Sequence, residues 1–221
     1  MDTVLIVGAN RGIGLELCRQ HAKRGDAVHA TTRKPSPELD ALTGVEVHEG
    51  VEVTSPESVS RLAAVLGAGS LDRLVVAAGI LKPMGLDDFD PALVREQFEV
   101  NALGVLSTTV ALLPCLSPRA RVALLTSRMG SIADNTSGGS YAYRMSKAAL
   151  NIAGRSLAVD LAPREIHVAI LHPGWVRTDM TGGSGLIDAG ESAAGIIART
   201  VALSAETSGR FFHHDGQELP W

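Results

Sequence analysis

Aromatic side chains are scarce in this chain. Its 221 residues hold four Phe, two Trp and two Tyr, and both tyrosines lie in one tripeptide, Tyr141-Ala142-Tyr143. An excess of positive charge is also lacking. Twenty Lys and Arg stand against 24 Asp and Glu, a formal charge of −4. This removes the counterion-release drive of a nucleic-acid binder and any pull toward an anionic membrane surface. No apolar run approaches the roughly 20 residues that span a bilayer; the longest, Ala102 to Leu116, is interrupted by Ser107, Thr108, Thr109 and Pro114. Cysteine is limited to Cys18 and Cys115, far apart and without metal-like spacing. The pair reads as two reduced, buried thiols in a cytoplasmic protein. The N-terminus shows no basic segment followed by a long apolar stretch, so no secretory signal is expected. His213-His214-Asp215 has no third ligand at a suitable spacing, and no metal site is expected.

Alanine and glycine are abundant instead, with 29 and 23 positions. A hydrophobic fraction of 45% with 20% charge argues against disorder. The length suits one domain, residues 1–221, burying about 70% of its unfolded surface. Strand-like runs at Thr3–Val7, Ala27–Thr32, Val45–Val53, Leu74–Ala78, Arg121–Thr126, His167–His172 and Gly209–His213 alternate with helical patterns at Gly12–Arg24, Pro56–Leu66, Pro91–Leu113, Ser140–Leu161 and Glu191–Leu203. Continuous Val/Leu/Ile/Ala strands are buried on both faces. Their alternation with helices predicts an α/β fold, a doubly wound parallel sheet of about seven strands with helices on both faces.

Gly8-Ala9-Asn10-Arg11-Gly12-Ile13-Gly14 follows the first strand and opens the first helix. Glycines there permit a tight turn and close backbone approach to a pyrophosphate, and the helix N-terminus offers free N–H groups. In this strand–turn–helix context the motif reads as a dinucleotide site of the Rossmann type. An NAD-binding chain places a carboxylate about 20 residues on, for the ribose 2′-hydroxyl; here the second strand ends in Thr31-Thr32-Arg33-Lys34. Arg33, with Arg11 in the turn, favours a 2′-phosphate and therefore NADP(H), with NAD(H) possible. The alternative is that Arg33 and Lys34 are only solvated.

Tyr143 and Lys147 stand four residues apart, on one face of a helix. A neighbouring ammonium is expected to lower the phenol pKa, so that Tyr143 can exchange a proton near neutral pH. Tyr141 has Met145 at that spacing instead.

With these motifs in this order, the chain resembles the short-chain dehydrogenase/reductase family over its whole length. Within the family it is similar to C-factor (C-signal) proteins and sniffer-type carbonyl reductases, through Ser127-Arg128-Met129-Gly130-Ser131-Ile132, Tyr141 to Asn151, His172-Pro173-Gly174-Trp175-Val176, Gly209-Arg210-Phe211-Phe212 and Leu219-Pro220-Trp221. The resemblance implies that Ser127 binds the substrate carbonyl oxygen, that Asn101 holds a proton-relay water near Lys147, and that Lys147 also binds the nicotinamide ribose. It also implies that Pro173, Gly174, Val176 and Thr178 run along the nicotinamide. Around the rest of the cofactor it places Gly8, Asn10, Arg11, Gly12, Ile13, Gly14, Thr32, Arg33, Ala78 and Gly79. Glu52 stands where the family has an Asp toward the adenine; it accepts from the adenine amine or is merely solvated. The family's Asn-Asn-Ala-Gly appears as Val76-Ala77-Ala78-Gly79, without either amide. Ser127 precedes Tyr143 by 16 residues, so the longer Ser131–Ser140 loop is expected to wall the substrate pocket, together with Thr181–Gly190. Trp175 lines that pocket or packs in the core, and His172 packs near the sheet edge.

The expected function is NADP(H)-dependent interconversion of a carbonyl and a secondary alcohol, on a small-molecule substrate, with no nucleic acid or membrane partner. Alternatives are a signalling protein that keeps the cofactor site, or a non-redox enzyme on the same scaffold. The resemblance also implies a homodimer or homotetramer, formed through the catalytic helix and the Pro91–Leu113 helix.

Overall fold

The computed structural model describes residues 1–221. The chain begins in the middle of its sheet. Strands β1 (Thr3–Val7), β2 (Ala27–Thr32) and β3 (Val45–Glu49) step outward to one edge. The chain then crosses back to β4 (Leu71–Val76), beside β1, and steps through β5 (Leu116–Leu125) and β6 (His167–His172) to β7 (Phe211–His213). The order is β3-β2-β1-β4-β5-β6-β7 and every pairing is parallel. Reversal of direction between β1 and β4 opens a crevice at the carboxyl ends of the strands.

Strand alternation sorts the core into two layers. Leu5, Val7, Leu74, Val76, Val122 and Leu124 face one side. There they meet α3 (Pro56–Leu66), α5 (Val105–Leu112) and α6 (Tyr141–Leu161) through Leu62, Leu112 and Leu150. Val4, Ile6, Val75, Ala123 and Leu125 face the other, against Leu17 of α1 (Gly12–Lys23) and Ile196 of α7 (Ala189–Val201).

Several boundaries differ from the sequence expectation for identifiable reasons. Ser36 and Pro37 start a one-turn helix, α2 (Pro37–Asp40), that the sequence reading left out. Helix α7 begins before Glu191 because the Asp188 carboxylate accepts from the Glu191 backbone N–H at 2.8 Å. The expected single helix over Pro91–Leu113 is instead α4 (Pro91–Phe98), a π-helical turn (Glu99–Gly104) and α5. Gly104 accounts for the site of the break: a Cβ there would stand 3.0 Å from the Val53 side chain and 2.8 Å from the Glu99 carbonyl oxygen. The continuous run Pro91–Cys115 is long and apolar enough, by length and composition alone, to cross a bilayer, which corrects the expectation that no run comes close. In this fold its Val105 and Leu112 are core residues packed toward the sheet.

Candidate active site

The carboxyl ends of β1, β2, β4 and β5 border a cleft of about 420 Å³. Its floor is the glycine turn. Gly8 adopts φ +86°, and a Cβ on it would lie 2.8 Å from the Ala78 backbone nitrogen. A Cβ on Gly14 would lie 2.2 Å from the Gly8 carbonyl oxygen. Only glycine allows β1, the turn and the strand end at Ala78 to come this close. Gly14→Ala is expected to cost about 1–3 kcal/mol through overpacking, read as a lower thermal midpoint. An unchanged midpoint would mean that the turn relaxes freely. The Thr31 hydroxyl accepts from the Gly8 N–H (3.1 Å) and the Asn10 carbonyl accepts from Ser36 Oγ (3.0 Å), fixing the turn from outside. The first turn of α1 carries no side-chain cap and no acidic residue. Its N–H groups and the positive end of its dipole face the cleft unopposed, an arrangement suited to phosphate.

Of the residues expected from sequence, Gly8, Asn10, Arg11, Gly12, Ile13, Gly14, Thr32, Arg33, Glu52, Ala78, Gly79, Tyr143, Lys147, Pro173 and Thr178 line this cleft. Asn101, Ser127, Gly174 and Val176 stand behind its lining. Thr178 packs over Gly12, its Cγ2 3.3 Å from where a Cβ would be. Gly174 (φ +91°) and buried Val176 instead join the Ile187 segment through a parallel bridge. The two arginines are not free cations. Arg11 pairs with Asp179 at 3.0 Å and Arg33 approaches Glu52 at 3.7 Å. Both pairs are exposed, so each contributes little and can be exchanged for a better anion. Trp175 is 57% exposed, which removes it from the core.

Strand β5 delivers Ser127 to the cleft, and α6 delivers Tyr143 and Lys147. Two contacts hold these elements in register. Thr126 Oγ1 donates to Asn151 Oδ1 at 2.6 Å, and Gly130 lies so close to α6 that a Cβ would be 2.7 Å from the Lys147 carbonyl carbon. The Ser127 hydroxyl accepts from the Met129 N–H and lies against the Tyr143 phenol. Lys147 donates to the Leu125 carbonyl at 3.0 Å, and its Nζ sits 5.7 Å from the centre of the Tyr143 ring.

The expected lowering of the phenol pKa is corrected here. Burial pushes Tyr143 up to about 12, against a smaller lowering by the Ser127 hydroxyl. Burial also brings Lys147 down to about 8. The ammonium is directed at a backbone carbonyl rather than at the phenol oxygen, and both groups are withdrawn from water.

Asn101 is also placed differently from the expectation. The π turn carries it fully into the interior. Its Oδ1 accepts from the Ile80 N–H (2.8 Å), and its Nδ2 donates to the Ile80 carbonyl (2.9 Å) and to Ser146 Oγ (3.0 Å). With both amide N–H groups engaged, this side chain braces the backbone after β4, where Val76 and Ala77 stand in place of the family's two asparagines. Ser146 in turn donates to the Tyr143 carbonyl at 2.8 Å.

The Ser131–Ser140 loop is tied down by Arg144, which donates to the carbonyls of Gly138 and Gly139 and to Ser137 Oγ. The Trp221 carbonyl also accepts from the Ala133 N–H at 2.8 Å. Thr31, Arg177, Asp179 and Met180 line the cleft without having been singled out from sequence; the last three directly follow the Pro173–Val176 segment, which is the signal that could have found them. His172, His213 and His214 pack ring against ring. Burial, chiefly, pushes His172 down to about 3, which keeps it neutral.

A family model described as short chain dehydrogenase matches residues 2–186. The chain is also 44% identical, over the full length of both, to 1-hydroxy-2-glutathionyl-2-methyl-3-butene dehydrogenase of Rhodococcus sp. (strain AD45). The chain belongs to the short-chain dehydrogenase/reductase family. This short-chain dehydrogenase/reductase is 49% identical to the C-signal of Myxococcus xanthus, over 69% of its own length and 94% of that protein. Its fold superimposes on the carbonyl reductase Sniffer of D. melanogaster with a TM-score of 0.93 and 31% identity, covering all of both chains. With an NADPH-bound carbonyl reductase from chicken fatty liver the TM-score is 0.89 at 30% identity, covering 100% of this chain and 99% of that one. It is an oxidoreductase of this family.

Proposed function

We propose that this enzyme reduces carbonyl compounds with NADPH and oxidises the corresponding secondary alcohols in reverse. The observation that carries the reading is the buried Tyr143, with Ser127 and Lys147 beside it, at the end of a cleft floored by glycine backbone. The uncapped first turn of α1 and the space that any Cβ at Gly8 or Gly14 would fill suit a dinucleotide pyrophosphate. Bound there, the nicotinamide supplies or accepts the hydride.

The chain's own residues handle the oxygen and the proton. Ser127 donates a hydrogen bond to the substrate oxygen and polarises the carbonyl. Tyr143 gives its phenolic proton to the oxygen as the alcohol forms, or takes it back in oxidation. Lys147, held by the Leu125 carbonyl, supports that transfer with its charge and binds the nicotinamide ribose. Asn101 positions this apparatus through Ile80 and Ser146. Bulky, apolar carbonyl compounds suit loops that present Ile132, Met180 and Leu186 to solvent.

The NADPH preference rests on Thr32-Arg33-Lys34 and the lack of a carboxylate at the end of β2. Titrating the purified enzyme with both cofactors is expected to give tighter NADPH binding. Arg33→Ala should narrow that preference by about tenfold to a hundredfold, the worth of one charge-assisted contact. Tighter NADH binding by the unaltered enzyme would overturn the assignment.

The enzyme also presents Met145, Ile152 and Val159 on α6 and Phe98, Leu103 and Val110 along the neighbouring helical run, all exposed. These faces support a homodimer or homotetramer, which sedimentation would distinguish from a monomer. The free, buried Cys18 and Cys115 support a cytoplasmic setting.

A further inference from the structure

Three side chains on the β2–β3 edge belong to none of this chemistry. The strand register pairs His29 with Glu46, and His48 follows Glu46 by two residues, so strand alternation sends all three to one face of the sheet. Their neighbours Val28, Ala30, Val45 and Val47 pack into the core on the opposite face. His29 Nδ1 lies 3.1 Å from His48 Nε2 and 3.5 Å from a Glu46 carboxylate oxygen. His48 Nε2 lies 3.7 Å from the other oxygen of the same carboxylate.

Three Lewis-basic atoms therefore converge on one point. A tetrahedral cation with ligand bonds of about 2.0–2.1 Å requires donors about 3.4 Å apart, and all three separations fall within about 0.3 Å of that spacing. We propose that His29, Glu46 and His48 form a binding site for a divalent transition-metal cation of the zinc class. Two imidazoles and one carboxylate are donors that zinc accepts. The Glu46 side chain is 61% exposed, so the fourth position opens to solvent. Burial and the neighbouring His29 hold the His48 imidazole toward its neutral form, the form that ligates. A cation here ties the edge strand β3 to β2 through side chains. Both strands run on to the adenine end of the cleft, at Arg33 and Glu52. The sequence signal is a Glu-x-His pair on one strand; the second histidine becomes its partner only through the β2–β3 register.

The test is calorimetric titration of tag-free, chelator-treated enzyme with zinc chloride, together with cobalt(II) substitution read by visible absorption. One zinc ion per chain is expected, and the intense visible bands of tetrahedral cobalt. The His29→Gln/His48→Gln double variant should weaken zinc binding by at least about a hundredfold and lose those bands, and Glu46→Gln should weaken binding by at least about tenfold. Glu46→Gln changes an exposed side chain and leaves the fold out of question. Absence of zinc binding by the unaltered enzyme, equal affinity in the double variant, or a weak octahedral cobalt spectrum would overturn the site.

Discussion

Tyr143→Phe is expected to lower kcat/KM for carbonyl reduction by about a thousandfold, in the middle of the range for losing a general acid, while NADPH affinity stays within about twofold. The phenol oxygen is the one proton donor that the structure places beside Ser127 in the cleft. With its pKa held near 12 by burial, it is fully protonated at neutral pH and always loaded for reduction. The pH dependence should therefore follow Lys147, whose pKa is about 8. Reduction is expected to hold steady below that value and fall as pH rises through it, because loss of the ammonium removes the charge that favours proton release from the phenol. Oxidation, which needs the phenolate, should rise over the same interval. Lys147→Arg should move the falling limb to higher pH, since guanidinium stays charged. Residual turnover of Tyr143→Phe within tenfold of the unaltered enzyme would remove Tyr143 from the proton-transfer role.

Lys147→Met is expected to divide activity from stability. Turnover should fall by about a hundredfold or more, yet the protein should become harder to unfold. The folded pKa of about 8 lies below the ordinary 10.5, so the native state pays for the charged form. That penalty is present in full below pH 8 and is relieved as pH rises from about 8 to 10.5. At neutral pH it is about 3 kcal/mol, partly offset by the hydrogen bond to the Leu125 carbonyl, worth about 1.5 kcal/mol for a charged donor. Methionine fills much of the same volume without charge. A gain of about 1–2 kcal/mol remains, or a thermal midpoint about 3–6 °C higher at pH 7. The gain should shrink at higher pH, where the unaltered enzyme no longer carries the charge. A lower midpoint for Lys147→Met at pH 7 would show that Lys147 stabilises the fold and that its burial carries no such cost.

What could be read from sequence was local or periodic. Continuous aliphatic strands declare a sheet covered on both sides, and the glycine turn declares itself by its place between strand and helix. Four-residue spacing separates Tyr143 from Tyr141, and the structure buries the first and leaves the second half-exposed. What could not be read depends on contacts between distant segments. Spacing puts Lys147 beside Tyr143 but does not say that its ammonium turns to a strand carbonyl at Leu125. Arg11 meets Asp179, 168 residues away, and no local pattern foretells that pairing. The Asn101 amide is spent on Ile80 because the chain turns inward at Glu99–Gly104, and that turn follows from the approach of Gly104 to Val53. The His29–Glu46–His48 cluster likewise exists only once two strands are aligned.

The π-helical turn has a further meaning in terms of descent and tolerance to change. Such a turn is what an α-helix becomes when it absorbs one additional residue. Deleting a single residue between Glu99 and Gly104 would let the helix close into a regular spiral, at the cost of rotating everything after it by about 100°. Val105 and Leu112 would leave the core, and Leu103 and Val110 would lose their place on the outer face. Length in this segment is therefore fixed more strictly than composition: substitutions along the helix change one contact each, whereas one lost residue would reset the inner and outer surfaces of α5 together.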